Sequence, residues 1–220
     1  MTQTTTPWLG RRSLIAGVSA AATMALLPSG SSLAQGKLTA TPRQGEGPFY
    51  PVEWSGDIDA DLVVVRGEAA QAIGQVAHVS GRILDLAGRP LSGAIVEIWQ
   101  CDANGIYRHP RDGGAGRSRD LGFQGRGRVT SDATGRYSFR TIRPVAYSGR
   151  APHIHFKVVL PGQRALVTQM YVFGETQNAE DVVLNHIRDR RQRDSVIVRF
   201  LPADAIEPGA LAGAFDIVIG

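Results

Sequence analysis

Short runs rich in β-branched residues recur from residue 76 to residue 220, with turn signals between them. This spacing constrains the fold most, because short strands separated by turns are typical of two-layer β structures. The 26 glycines and 12 prolines supply the turns. We predict a mainly β fold, an antiparallel β-sandwich with one short helix near 179–190. The strand candidates are residues 76–85, 94–100, the two runs that flank the turn at 132–135 within 129–142, 153–160, 165–173, 195–202 and 214–220.

The N-terminus has the composition of an export signal. The pair Arg11-Arg12 precedes an uncharged stretch that ends in a small-residue cleavage motif at 32–34. The most apolar part, residues 14–27, is shorter than the ~20 residues that a membrane span needs. We therefore expect residues 1–34 to be a twin-arginine signal peptide, with an ordinary Sec signal as the alternative. Residues 35–220 are predicted to form a single domain, periplasmic or secreted, with no stable membrane anchor after cleavage.

Charge and cysteine content argue against several classes of protein. The formal net charge is +4, and +2 of it falls within residues 1–34. The remainder is too weakly basic for a typical nucleic-acid-binding domain, so we expect no nucleic-acid partner. Cys101 is the single cysteine, which excludes an intramolecular disulfide and a cysteine-rich zinc site.

Two histidines, His153 and His155, lie in the strand candidate at 153–160. Side chains at i and i+2 of a strand share a face, so both imidazoles can reach one metal ion, although such a pair also arises by chance. Tyr107 and Tyr147 add two phenols. Nitrogen and oxygen ligands of this kind favour iron over a thiophilic metal. A trivalent cation also lowers the pKa of a bound phenol far below its ordinary value of ~10.

Five motifs follow one another in a fixed order along residues 46–175. They are EGPFYP (46–51), GRILDLAGRPLSGAIVEIWQCDANGIYRHP (81–110), GFQGRGRVTSDATGRYSFRTIRP (122–144), RAPHIHFKV (150–158) and TQMYVFGE (168–175). This series resembles the intradiol ring-cleavage dioxygenases, and within them the protocatechuate 3,4-dioxygenase β-subunit type. Residues 79–139 also resemble a transthyretin-like (prealbumin-like) β-sandwich, which is a likeness of fold alone.

The resemblance implies a non-haem Fe(3+) enzyme that opens a catechol-type ring between its two hydroxylated carbons with O2, giving a muconate-type product. It further implies that Tyr147 leaves the iron and takes up a substrate proton, while Tyr107 stays bound. The implied iron ligands are Tyr107, Tyr147, His153 and His155, and the implied further catalytic residues are Arg150 and Gln169.

Two departures from the family pattern leave questions open. The loop between Tyr147 and His153 is shorter than in the protocatechuate enzymes, so the resemblance does not give the ring substituents of the substrate. The segment before residue 79 also has no room for the N-terminal helical domain of the catechol 1,2-dioxygenases. A homo-oligomer and an α-type partner chain are both compatible with the resemblance.

Two alternatives compete with this interpretation. The first is a non-catalytic transthyretin-like binding module of the cell envelope. The second is a zinc or copper hydrolase built on the histidine pair, which lacks a carboxylate ligand at suitable spacing. His78, His109 and His186 have no partner at metal-binding spacing, and we interpret them as structural.

Overall fold

The fold is mainly β. The computed structural model describes residues 37–220, and the predicted signal peptide, residues 1–34, lies outside them. No helix within the described range is long and apolar enough to cross a membrane. The elements of this part of the chain are β1 (Val76–Asp85), β2 (Ile95–Trp99), β3 (Arg126–Thr130), β4 (Arg136–Ile142), β5 (His153–Val159), β6 (Leu166–Val172), α1 (Val182–Asn185), α2 (Arg190–Ser195), β7 (Ile197–Val198), β8 (Leu201–Pro202), β9 (Leu211–Ala214) and β10 (Ile217–Ile219), with 3-10 turns at Gly114–Gly116 and Thr176–Ala179.

The strands form two five-stranded sheets. In the first, β1 pairs with β4, β9 and β10, and β8 pairs with β9. The second has the order β3-β2-β5-β6-β7. The prediction of a purely antiparallel sandwich is wrong, because β1 runs parallel to β9 and β10, and β6 runs parallel to β7. Long connections join these strands, and only a short hairpin requires its two strands to be antiparallel. The transthyretin-like core stays a prediction.

A short helix, α1, lies inside the predicted region 179–190, but the prediction of a single helix is wrong. A second short helix, α2, follows it, and each of the two helices has an aspartate as its N-cap residue. Asp181 accepts a hydrogen bond from the N–H of Leu184, and Asp189 accepts one from the N–H of Gln192. An N-cap residue has extended backbone angles, so the second cap interrupts the helix that the composition alone would allow.

Both sheets contribute to one hydrophobic core. Val79 of β1, Val96 of β2, Phe139 of β4 and Phe156 of β5 lie in a single buried cluster. Burying a side chain of this kind stabilises the fold by about 1.5–3 kcal/mol. The alternation of β5 then directs its odd-numbered residues to the opposite face of the second sheet.

That opposite face is covered by residues 44–54. Tyr50 in this segment donates a hydrogen bond from its hydroxyl to Glu97 of β2 at 2.8 Å. Under the cover His153 and His155 are only 1% and 2% exposed. Polar side chains on this face of the second sheet are therefore buried and shielded from water.

Candidate metal centre

Strand β5 places two imidazoles on one face, as the sequence predicts. The Nε2 atoms of His153 and His155 lie 3.2 Å apart. Trp99 lies opposite His155 on β2 and stacks on its ring at 4.7 Å. This stacking fixes the orientation of the His155 ring and excludes water from one side of it.

The hydroxyl of Tyr107 completes a triangle of donor atoms. It lies 3.1 Å from Nε2 of His155 and 3.4 Å from Nε2 of His153. Ligand atoms that each lie ~2 Å from one metal ion are themselves about 3 Å apart. The three atoms therefore have the spacing of ligands that share one ion.

The protonation of the histidines also fits a cation. Nδ1 of His153 donates to the carbonyl oxygen of Ala151 at 2.6 Å, which leaves a lone pair on Nε2. Burial lowers the pKa of His153 to about 4 and that of His155 well below its ordinary value. Both rings are therefore neutral at pH 7. Two neutral rings share at most one hydrogen between facing Nε2 atoms, whereas a metal ion accepts both lone pairs.

Within the described part of the chain, no carboxylate joins the two imidazoles as a ligand. Among residues 37–220, no group of three or more His, Cys, Asp and Glu side chains is arranged to hold a metal ion. Any metal bound by the two imidazoles thus depends on the phenols for its remaining protein ligands. This donor set differs from that of the zinc or copper hydrolase considered from the sequence.

Tyr107 lies in a loop after β2 that two carboxylates hold in place. Asp102 accepts a hydrogen bond from the N–H of Ile106, and Asp112 accepts one from the N–H of Tyr107 itself. The side chain is 1% exposed and its ring stacks on Phe49 at 4.8 Å. Burial raises the pKa of Tyr107 well above its ordinary value, so ionisation of this phenol requires a cation at its oxygen.

Tyr147 reaches the centre from a tight turn. Its ring lies 5.0 Å from that of Tyr107 and 5.6 Å from that of His153. The turn is closed by the N–H of Arg150, which donates to the carbonyl oxygen of Tyr147 at 2.8 Å. Burial raises the pKa of Tyr147, while a hydrogen bond with Tyr107 and the charge of Arg150 lower it. This phenol is half-buried and has opposing influences on its charge.

Arg150 is held beside the centre by three side chains. Its Nε donates to Asp181 at 2.8 Å, and its Nη2 donates to Gln169 at 2.7 Å and to Tyr171 at 3.3 Å. Burial opposes the charge of Arg150, but the hydrogen bond and ion pair with Asp181 leave its pKa raised. A fixed positive charge therefore lies next to the two phenols.

The structure brings all six predicted site residues together, and their catalytic and metal-binding roles stay predictions. Sequence reasoning missed Asp181, Tyr171 and Phe49. Tyr171 follows Gln169 by two residues on β6, so the same-face rule could have found it. Asp181 carries only a helix-cap signal, and nothing local links it to Arg150, 31 positions away.

Proteins of similar sequence are dioxygenases. The family model described as Dioxygenase matches residues 45–220. The β chain of protocatechuate 3,4-dioxygenase from Burkholderia cepacia is 38% identical over 181 residues, which cover 78% of this chain and 76% of that one. Hydroxyquinol 1,2-dioxygenase from Corynebacterium glutamicum is 32% identical over 154 residues, which cover 60% of this chain and 46% of that enzyme.

Solved structures give the same result. The dioxygenase domain of a dioxygenase carbohydrate-binding protein fusion from Streptomyces sp. SirexAA-E matches with a TM-score of 0.62 and 30% identity, covering 82% of this chain and 98% of that one. Catechol 1,2-dioxygenase from Acinetobacter sp. ADP1 matches with a TM-score of 0.61 and 26% identity, covering 81% of this chain and 62% of that one. The similarity therefore extends over nearly all of the described residues.

Proposed function

The chain belongs to the intradiol ring-cleavage dioxygenases, of the protocatechuate 3,4-dioxygenase β-chain type, and we propose that one ferric ion lies among Tyr107, Tyr147, His153 and His155. This family uses non-haem iron and takes part in the catabolism of aromatic compounds. The substrate we propose is a catechol-type diol. Its ring opens between the two hydroxylated carbons, both atoms of O2 enter the product, and a muconate-type dicarboxylate results.

The observation that carries this proposal is the triangle of donor atoms from Tyr107, His153 and His155. Two neutral imidazoles and a buried phenol face one point, with a second phenol alongside. This set of nitrogen and oxygen donors suits iron. Two tyrosinates also offset most of the charge of a ferric ion, so the buried centre carries little net charge.

A bound ferric ion supplies Lewis acidity, which lowers the pKa of the phenols and of the substrate hydroxyls and makes the bound ring reactive toward O2. In our proposal, Tyr107 stays in place, and Tyr147 turns away and accepts a substrate proton at its oxygen. Arg150 stabilises the negative charge that develops on the ring, because Asp181 and Gln169 hold its guanidinium beside the centre.

The aromatic side chains around the centre keep water out. Phe49 covers the ring of Tyr107, and Trp99 covers the ring of His155. Exclusion of water strengthens the electrostatic effect of Arg150 and limits side reactions of the activated ring. Gln169, which accepts a hydrogen bond from Arg150, positions that arginine relative to the ring.

Oxygen uptake tests the proposal directly. The iron-loaded protein is supplied with catechol, protocatechuate, hydroxyquinol and chlorocatechols, and each product is identified by mass spectrometry. We expect one O2 consumed per ring opened, and an open-chain product with two new carboxylates whose mass exceeds that of the diol by both oxygen atoms. A protein that contains iron but consumes no O2 with any of these diols would contradict the proposed function.

We further propose that the protein is exported through the twin-arginine route and acts in the periplasm or outside the cell, as a homo-oligomer or with an α-type partner chain. The support is the Arg11-Arg12 pair before an apolar stretch and the similarity to a β chain. Replacing both arginines by lysine should abolish export, whereas export through the Sec route would survive the change. Sedimentation of the purified chain alone and after co-expression with an α-type chain distinguishes the two assemblies.

A further inference from the structure

A basic cleft of about 420 Å³ lies beside the metal centre. Its lining includes Arg108, Arg119, Arg126, His109 and Glu53. The volume is suited to a small organic molecule. None of these residues belongs to the proposed catalytic centre.

Two residues that line the cleft, His109 and Arg126, each have a buried N–H donor with no acceptor among the described residues. His109 is 3% exposed, and its Nδ1 accepts a hydrogen bond from the N–H of Arg111 at 3.1 Å. The neutral ring therefore carries its hydrogen on Nε2, which is buried without a hydrogen-bond partner among the described residues. Nε of Arg126 is likewise buried and unpartnered within residues 37–220. Nη2 of Arg126 donates to the carbonyl oxygen of Ser55 at 2.8 Å, so only part of this guanidinium is satisfied. An unsatisfied buried donor is costly, so each of these two N–H groups would gain from an acceptor that reaches it.

Positive charge is concentrated around the same cleft. Three arginines, Arg108, Arg119 and Arg126, line the cleft, against one carboxylate, Glu53. Two aspartates, Asp112 and Asp120, are close to these arginines in the sequence. Both aspartates are already engaged by backbone N–H groups, Asp112 by Tyr107 and Asp120 by Ile73. Burial lowers the pKa of Arg126, and the charge of Arg108 lowers it further.

The arginines of the cleft have no carboxylate partner among residues 37–220. In the part of the chain that the structure describes, no carboxylate lies within 4.0 Å of a guanidinium nitrogen of Arg108, Arg119 or Arg126. Glu53 favours the charge of Arg126 only at longer range. By contrast, Arg128, which follows on the same strand, is paired with Glu97 at 2.6 Å.

We propose that this cleft is a binding site for the carboxylate group of a small aromatic or unsaturated acid. A carboxylate accepts several hydrogen bonds, and it matches the fork of a guanidinium better than a single-point acceptor does. It would accept from Nε of Arg126 and Nε2 of His109 and offset the excess charge of Arg108. Such a ligand satisfies both orphan donors and the unpaired charge at once.

Phe49 connects the cleft to the metal centre. Its ring packs against that of His109 in a T-shaped arrangement, at 5.7 Å between centroids, and stacks on Tyr107 at 4.8 Å. The carboxylate therefore has two sources that depend on the proposed function: a ring substituent of the substrate, or the dicarboxylate product. Either source links occupancy of the cleft to the aromatic packing around the centre.

Calorimetric titration of benzoate into the iron-loaded protein tests the site. We expect Arg126→Met and Arg108→Met each to weaken benzoate binding about 10-fold or more, as the loss of a charge-assisted hydrogen bond implies. Glu53→Gln should strengthen binding, because it removes the nearest opposing charge. The control is Arg136→Met, on an arginine of β4 in the other sheet, which should leave binding unchanged. Arg108 is exposed, so its variant tests the site even where Arg126→Met fails to fold.

The proposal is overturned if benzoate does not bind, or if it binds equally to the wild type and to both arginine variants. Benzoate held by the metal alone would give the second result. The ratio of kcat/KM for protocatechuate to kcat/KM for catechol then identifies the source of the carboxylate. If Arg126→Met lowers kcat/KM for protocatechuate selectively, the carboxylate is a ring substituent of the substrate. If the ratio is unchanged while benzoate binding is lost, the carboxylate belongs to the product. If benzoate binding depends on these arginines but the protein cleaves no ring, the proposed function is refuted and the carboxylate site in the cleft is still supported.

Discussion

The two phenols of the centre are held in different ways. Tyr107 is 1% exposed, and the backbone around it is fixed by hydrogen bonds to Asp102 and Asp112. Tyr147 is half-buried and belongs to a four-residue turn in which Ser148 has φ 44° and Gly149 has φ 77°. Positive φ is disfavoured for serine, so the surrounding structure must impose the conformation of this turn.

The contrast supports different roles for the two phenols. Displacing Tyr107 would break a packed loop and the stacking with Phe49. Displacing Tyr147 requires only a local change in an exposed turn, and Arg150 remains nearby to stabilise its oxygen. We infer that Tyr107 is the permanent ligand and Tyr147 the ligand that leaves.

The largest effect is expected for Tyr107→Phe. This change removes one of the three donor atoms that face each other, and it leaves a ferric ion without the tyrosinate that offsets its charge in a buried pocket. We expect the purified variant to contain little or no iron by metal analysis and to lack activity. A variant that keeps one iron per chain and turns over slowly would reverse the roles of the two tyrosines.

Tyr147→Phe should keep its iron and lose turnover. Positioned proton transfer contributes about 10²–10⁴-fold to rates, and the variant lacks the oxygen that accepts the substrate proton. We therefore expect kcat to fall by this order, measured by oxygen uptake at saturating diol. Full activity, or loss of the iron, would show that Tyr147 is not the mobile ligand.

Asp181→Asn tests the support of Arg150 beside Tyr147. The side chain of Asp181 is fully buried and receives hydrogen bonds from Nε of Arg150 and from the N–H of Ala151. We expect retained iron, a fall in kcat of about 10-fold, and a loss of about 1–3 kcal/mol in the free energy of unfolding.

The matched control is Asp189→Asn, at the N-cap of α2, where the side chain accepts only from the N–H of Gln192 among the described residues. Asparagine is as good an N-cap as aspartate, so this variant should behave as the wild type. Equal effects at Asp181 and Asp189 would show that Asp181 is a helix cap and nothing more.

The smallest effect concerns the turn itself. Gly149→Ala and Gly162→Ala each place a methyl group on a residue with positive φ, 77° and 71°. In both cases no atom beyond the two neighbouring residues lies within 4 Å of the added Cβ atom. Each should lower the free energy of unfolding by about 1 kcal/mol in urea denaturation. Only Gly149→Ala should alter kcat and the visible spectrum, because only this glycine adjoins Tyr147. Identical kinetics for the two variants would show that the conformation of the turn at Gly149 does not affect turnover.

Local pattern predicted most of the strands and the histidine pair. Strand β1 has the predicted bounds, and β5 begins at the predicted residue, because alternating β-branched residues report on burial directly. Strand β9, Leu211–Ala214, was missed because LAGA has no β-branched residue, and its parallel pairing with β1 depends on tertiary contacts. The ion pair between Arg150 and Asp181 was missed because it also depends on a tertiary contact: Asp181 is the N-cap of a helix that is distant from Arg150 in the sequence.

The visible absorption spectrum of the iron-loaded protein tests the central claim most directly, which is that phenols and imidazoles form one ferric centre. Tyrosinate bound to ferric iron absorbs visible light by charge transfer, so we expect a red-brown protein with one iron per chain. Anaerobic addition of catechol should change this spectrum, and Tyr107→Phe should be colourless. A colourless wild-type protein after iron loading, or one that holds stoichiometric zinc and no iron, would contradict the account.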